Sequence, residues 1–139
     1  MSKQIIKWDK SYEVGIEKID SQHQELVRII NKFISAKSEG KEMSVMKETL
    51  TNLVNYTKYH FHDEEEFMQH EHYYKIYEHK AQHEILIKEI VQILRDISNN
   101  KININNELFS LLKRWLLQHV LKQDAAFGKF YKRKNNPQS

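Results

Sequence analysis

Four stretches of this chain place apolar residues in steps of three and four, and each carries metal-ligating side chains on the same stripe. The first reads His23, Leu26, Val27, Ile30, Phe33, Ile34 and ends at Glu39-Gly40. The second starts near Ser44 and reads Met46, Leu50, Leu53, Thr57, His60, Glu64, Phe67. The third reads Ile76, His79, His83, Leu86, Ile90, Leu94, Ile97 and stops at Asn99-Asn100; the fourth starts near Asn105 or Asn106 and reads Leu108, Leu112, Trp115, His119. Such spacing returns to one face of an α-helix at every turn. Asp20 is a fitting N-cap for the first helix. Breakers are scarce: three glycines and one proline, Pro137, in 139 residues. Short connections favour antiparallel neighbours, so the expected fold is all-α, an up-down-up-down antiparallel four-helix bundle. Residues 1–19 hold Trp8, Tyr12, Val14 and Ile16 and are expected to pack as an ordered N-terminal arm.

The polar residues on those stripes carry the chemistry. HxxxE at His60 and Glu64 and HxxxH at His79 and His83 place both members on one helix face, about 40° apart. Imidazoles and carboxylates directed into a core need partners, and metal ions supply them. A lone histidine on an apolar face is more often a hydrogen-bonded core residue, and HxxxH also arises by chance on exposed helices. The coincidence decides: all four helices contribute, and every contribution falls on the apolar stripe. His23, His60, Glu64, His79, His83, His119 and Asp124 are the candidate metal ligands. Five histidines and two carboxylates are too many for one ion and suit two. His62, two positions from His60, falls on nearly the opposite side of its helix, and His70 and His72 lie near that helix's end; these three are expected to be bystanders. Glu65 and Glu66 read as a solvated face beside Glu64.

Charge and composition narrow the remaining classes. The net charge of +3 is spread along the chain apart from Lys132-Arg133-Lys134, so no nucleic-acid or membrane partner is expected. No apolar run approaches a membrane span. The absence of cysteine excludes disulfides and thiolate ligands. Residues 1–15 contain no apolar h-region, so no signal peptide is expected and the cytoplasm is the default. Length favours one domain, 1–139, with 131–139 as a tail.

Four ordered blocks carry a family resemblance: WDKSYEVGIEKIDSQH from Trp8 to His23, HFHDEE from His60, HKAQH from His79 to His83, and WLLQHVLKQD from Trp115 to Asp124. Together they resemble the hemerythrin family, specifically its single-domain bacterial members, over nearly the whole chain. The resemblance implies a non-haem di-iron centre with an oxo or hydroxo bridge that binds dioxygen reversibly. His79, His83 and His119 would hold one iron and His23 and His60 the other, with Glu64 and Asp124 bridging. Five imidazoles, two bridging carboxylates and a shared oxygen leave one position of two octahedra open, on the iron with two histidines, for dioxygen. Leu26, Phe61, Trp115, Leu116 and Val120 would form the dry pocket around it.

That implies a carrier and not an enzyme, serving oxygen storage, delivery or scavenging. Bundle di-iron enzymes that activate oxygen use Glu-rich ligand sets, whereas imidazoles dominate here. The alternatives are an oxygen- or iron-sensing module and a di-iron redox enzyme acting on peroxide or nitric oxide. The chain departs from the family pattern at Tyr73-Tyr74, where relatives often have proline, and at Phe127, where they often have tyrosine. His119 and Asp124 stand five apart, about 140° on an ideal helix, so irregular backbone hydrogen bonding is expected between His119 and Phe127.

Overall fold

The computed structural model describes residues 6–41, 43–101, 103 and 106–135, with the side chain of His119 outside the described set. Helix α1 runs Glu17–Ser38, α2 Met43–His70 and α3 Ile76–Ser98; the last helical stretch comprises α4 (Asn106–Arg114), a π-helical segment (Trp115–Leu121) and α5 (Lys122–Asn135). No strand occurs among the described residues. α1 packs on α2 and α2 on α3, while the π segment touches both α1 and α3 and closes the four-helix bundle.

The stripes read from the sequence are the core. Leu26, Ile30, Phe33, Leu50, Leu53, Leu86, Ile90, Leu112 and Leu116 belong to one large apolar cluster. Each fully buried aliphatic side chain contributes about 1.5–3 kcal/mol relative to exposure. A second, smaller cluster joins Val14, Ile16 and Ile19 to Met68, Tyr73 and Phe127.

Helices α1, α2 and α3 end alike, each with a residue in the left-handed region: Gly40 (φ 69°), His72 (φ 58°) and Asn100 (φ 59°). In each case the next residue's N–H reaches back across the last turn, Lys41 to the Ala36 carbonyl, Tyr73 to Met68 and Lys101 to Asp96. This pairing satisfies carbonyls that the helix end would orphan. Glycine adopts that conformation without cost, and asparagine tolerates it; histidine is the unusual choice.

The start of α1 corrects one expectation. The helix begins at Glu17, and its N-cap is Ile16 with no side-chain cap, so Asp20 is not the N-cap. Asp20 lies inside the first turn and folds back, accepting from the N–H of Val14 at 2.7 Å and of Gly15 at 3.2 Å. Glu17, Lys18 and Ile19 extend the helix because Ile19 is itself on the buried stripe. Of the expected arm, residues 1–5 lie outside the described residues, residues 17–19 belong to α1, and residues 6–16 pack against the bundle. Asn31 clamps Ile6 through both its backbone groups at 2.8 Å, a short 3-10 turn covers Lys10–Tyr12, and Trp8 packs edge-on against Tyr12. At the other end, α5 continues through residues 131–135, so the first part of the expected tail is helix. Lys134 donates to the Glu71 carbonyl at 2.8 Å and tethers that end to the α2–α3 turn.

Candidate metal centre

Two groups of buried ligating side chains lie in the bundle between the two apolar clusters. One joins His23, His60, Glu64 and Asp124; the other joins Glu64, His79, His83 and Asp124. His23 comes from α1, His60 and Glu64 from α2, His79 and His83 from α3 and Asp124 from α5. All six are buried. The structure thus brings together every expected ligand except His119, whose side chain lies outside the described residues.

Both carboxylates are shared between the groups, one oxygen to each. Asp124 Oδ2 lies 2.6 Å from His23 Nε2 and 3.2 Å from His60 Nε2, while its Oδ1 lies 3.0 Å from His79 Nε2. Glu64 divides in the same way. Its Oε2 faces His60 Nε2 at 3.7 Å, and its Oε1 faces His79 Nε2 at 3.3 Å and His83 Nε2 at 3.1 Å. Neither Glu64 oxygen has a partner in hydrogen-bond geometry among the described residues, although the side chain is fully buried. A buried carboxylate without donors is costly unless a cation sits beside it. The donor set fits such a cation: imidazole nitrogens and carboxylate oxygens, all aimed inward.

The charges act on one another. Burial alone would raise Asp124, yet the imidazoles of His23, His60, His79 and His83 hold its carboxyl well below the usual carboxylate range. Burial would pull His79 and His83 down, but Asp124 and Glu64 override it, holding His79 at about 9 and His83 at about 10. His23 is raised against its own burial by Asp124. The same attraction that draws protons to these nitrogens would draw metal ions.

Local backbone explains how Asp124 arrives. The segment Trp115–Leu121 is π-helical, with i to i+5 hydrogen bonding. One extra residue per turn shifts the helix phase, and Asp124 ends 1% exposed on the site side. The irregularity is of the expected kind but starts at Trp115 and is over by Leu121, earlier than the span from His119 to Phe127. Packing places it there: Trp115 is buried against the core and its indole N–H donates to the Leu86 carbonyl of α3 at 3.2 Å.

The five expected pocket residues, Leu26, Phe61, Trp115, Leu116 and Val120, are all buried in the large cluster that adjoins the site. Phe61 lies flat on the His83 ring, with centroids 3.8 Å apart and planes within 3°. The three expected bystanders are exposed. His62 pairs with Glu66 at 3.1 Å, His70 with Glu71 at 3.2 Å, and His72 supplies the left-handed residue after α2.

Sequence reasoning missed an outer layer. Gln22 accepts from His60 Nδ1 at 2.7 Å and donates to Asp63 at 2.8 Å. Glu65, read as part of a solvated face, accepts from His83 Nδ1 at 2.8 Å. The available signal was adjacency: Gln22 precedes His23, and Glu65 follows Glu64. Tyr73 also comes close. It is buried against Phe127 and Phe130, with its ring 6.3 Å from that of His79, and burial pushes its phenol up. Tyr74, beside it, is exposed.

Comparison with known proteins agrees with this geometry. The family model described as "Hemerythrin HHE cation binding domain" matches residues 14–131. A bacteriohemerythrin of Pseudomonas aeruginosa is 33% identical over 120 residues, covering 86% of this chain and 77% of the relative. A bacteriohemerythrin of Clostridium acetobutylicum is 28% identical over 125 residues, covering 86% and 96%. A myohemerythrin of Theromyzon tessulatum is 30% identical over 121 residues, covering 87% and 89%.

Proposed function

This chain belongs to the hemerythrin family, and from that premise we propose that it binds dioxygen reversibly at a non-haem centre of two irons. The observation that carries the reading is Glu64: both of its oxygens are buried with no aligned hydrogen bond among the described residues, and they face imidazole nitrogens of α2 and α3 at 3.1–3.7 Å. His23 and His60 would hold one iron, and His79, His83 and His119 the other, with Glu64 and Asp124 spanning the pair. A ferrous pair held there supplies the two electrons that reversible oxygen binding needs.

The chain's own side chains do the rest. Glu64 and Asp124 each divide their oxygens between the two halves, which fixes the spacing of anything held between them. Their negative charge offsets the cations in a site closed to water. Leu26, Phe61, Trp115, Leu116 and Val120 keep the oxygen side apolar, so water and stray protons are excluded. Gln22 and Glu65 lock the rings of His60 and His83 from behind. Neutral imidazoles stabilise high-valent iron less than carboxylates do, which favours a carrier over an oxygen-cleaving enzyme. We assign the protein to oxygen storage, delivery or scavenging. No helix among the described residues is long and apolar enough to cross a membrane.

The test is an anaerobic optical titration of the ferrous protein with oxygen, followed by evacuation. Two irons per chain and a spectrum that reverses are expected; a spectrum that never reverts would exclude a carrier. Leu26→Ser should keep two irons but lose its reversibility faster over hours, and a buried hydroxyl without a partner should cost about 1–3 kcal/mol. Equal rates in both proteins would reduce Leu26 to core packing.

A further inference from the structure

The two halves of the site are held from behind by different chemistry. His60 Nδ1–H donates to the neutral amide oxygen of Gln22 at 2.7 Å. That amide cannot turn over, because its nitrogen donates to Asp63 Oδ2 at 2.8 Å, and Asp63 faces Lys18 Nζ at 3.4 Å. His83 Nδ1–H instead donates directly to a carboxylate oxygen of Glu65 at 2.8 Å. Glu65 accepts, so the ring keeps a proton on Nδ1 whatever its charge, and Nε2 is left as the atom that faces the site. On the other side, the Nδ1 of His23 has no hydrogen-bond partner among the described residues.

A carboxylate behind an imidazole draws on its proton and makes the opposite nitrogen a stronger donor; a neutral amide does so much less. Resting on the two-iron reading above, we infer that Glu65 is a positioning residue for His83. It makes the His79/His83 half the tightly held metal position and leaves the His23/His60 half the exchangeable one. Glu65 is suited to this although it lies partly open, beside a cavity of about 350 Å3 lined also by Lys58 and Lys88. Its effect travels through one short hydrogen bond to a ring shielded by Phe61, and not through solvent.

The test uses the full chain loaded with cobalt(II), whose visible absorption reports each site, and then challenged with excess chelator. Wild type should hold two ions per chain and release them in a fast and a slow phase. Glu65→Gln keeps an acceptor oxygen for Nδ1 and removes only the charge. It should speed the slow phase about 10- to 100-fold and leave the fast one unchanged. The reciprocal pair Gln22→Glu with Asp63→Asn places a carboxylate behind His60 and a donor behind that carboxylate, and should slow the fast phase. Glu66→Gln, one residue along and paired with exposed His62, should change neither. Fewer than two ions in wild type would overturn the two-metal reading itself. Two ions released at unchanged rates from Glu65→Gln, or no slowing in the reciprocal pair, would overturn the role of Glu65 alone.

Discussion

The metal site lies between two apolar clusters built in different ways. The large one is assembled from the regular stripes of the bundle helices, Leu26 and Phe33 of α1, Leu50 and Leu53 of α2, Leu86 and Ile90 of α3 and Leu112 of α4. The small one joins pieces that share no periodicity: Val14 and Ile16 of the arm, Tyr73 of a turn, Met68 and Phe127 of two helices. The first rests mainly on helices of the right phase, with Ile6 of the arm joining them. The second needs an arm to come back along α5, close enough that a Cβ on Gly128 would lie 2.8 Å from both the Val14 Cβ and its carbonyl oxygen. One side of the site is thus secured by repetition and the other by single close contacts.

The largest effect should come from the layer between them. With metal removed by chelation, the Asp124 carboxylate is balanced by the protonated histidines around it. His79 and His83 titrate near 9 and 10 when folded, against about 6.5 unfolded. The folded state then binds more protons, so this stabilisation is fully present below about pH 6.5 and is lost as pH rises through 9 to 10. Urea unfolding of the chelated protein should show stability falling across that window. Metal addition at pH 8 should release protons into weak buffer. A flat pH profile, with no proton release, would mean that the two clusters hold the bundle without help from the site.

Within the large cluster, Phe33→Ala removes a fully buried ring that meets Phe109 edge-on at 5.8 Å. It should cost about 3–5 kcal/mol while metal content stays normal, since the stripe extends well past the ligands. Loss of metal at equal helicity would show that this cluster also tunes the site. In the small cluster, Gly128→Ala forces the arm away from α5 and should cost about 1–3 kcal/mol. Protease cleavage and amide exchange should rise in residues 10–16 before they rise in α2 or α3. Uniform loosening of the whole bundle would break the distinction between the clusters. The smallest effect is expected at His72. Glycine there relieves the left-handed strain, so His72→Gly should stabilise by about 0.5–1 kcal/mol, read as a Tm a few degrees higher with unchanged metal content.

Periodicity made most of the large cluster readable, and with it the candidate ligands His23, His60, Glu64, His79 and His83. His60 with Glu64 and His79 with His83 lie one turn apart, and the geometry of an α-helix leaves them no choice but to share a face. Stop signals were equally plain, since Gly40 and Asn100 mark their helix ends by conformational preference. Asp20 misled because a capping side chain is recognised by type, and the same carboxylate can serve from inside the turn. Glu65 misled because helix phase places it off the stripe; only the approach of α3 puts His83 within its reach.

The spacing of His119 and Asp124 announced a distortion without locating it. Its position depends on where Trp115 meets Leu86, a contact between residues 29 apart. What the sequence determined by itself was whatever repeats along one helix: four amphipathic faces, the stops at Gly40 and Asn100, and the candidate ligating side chains on those faces. What only the tertiary structure decided was whatever needs two helices at a set distance. The shared oxygens of Glu64 and Asp124, the unequal supports behind His60 and His83, and the docked arm are all of this kind. A helix specifies its own side-chain directions every 3.6 residues or so, but nothing local specifies its neighbour's height or rotation. Those follow from the packing of all the faces at once.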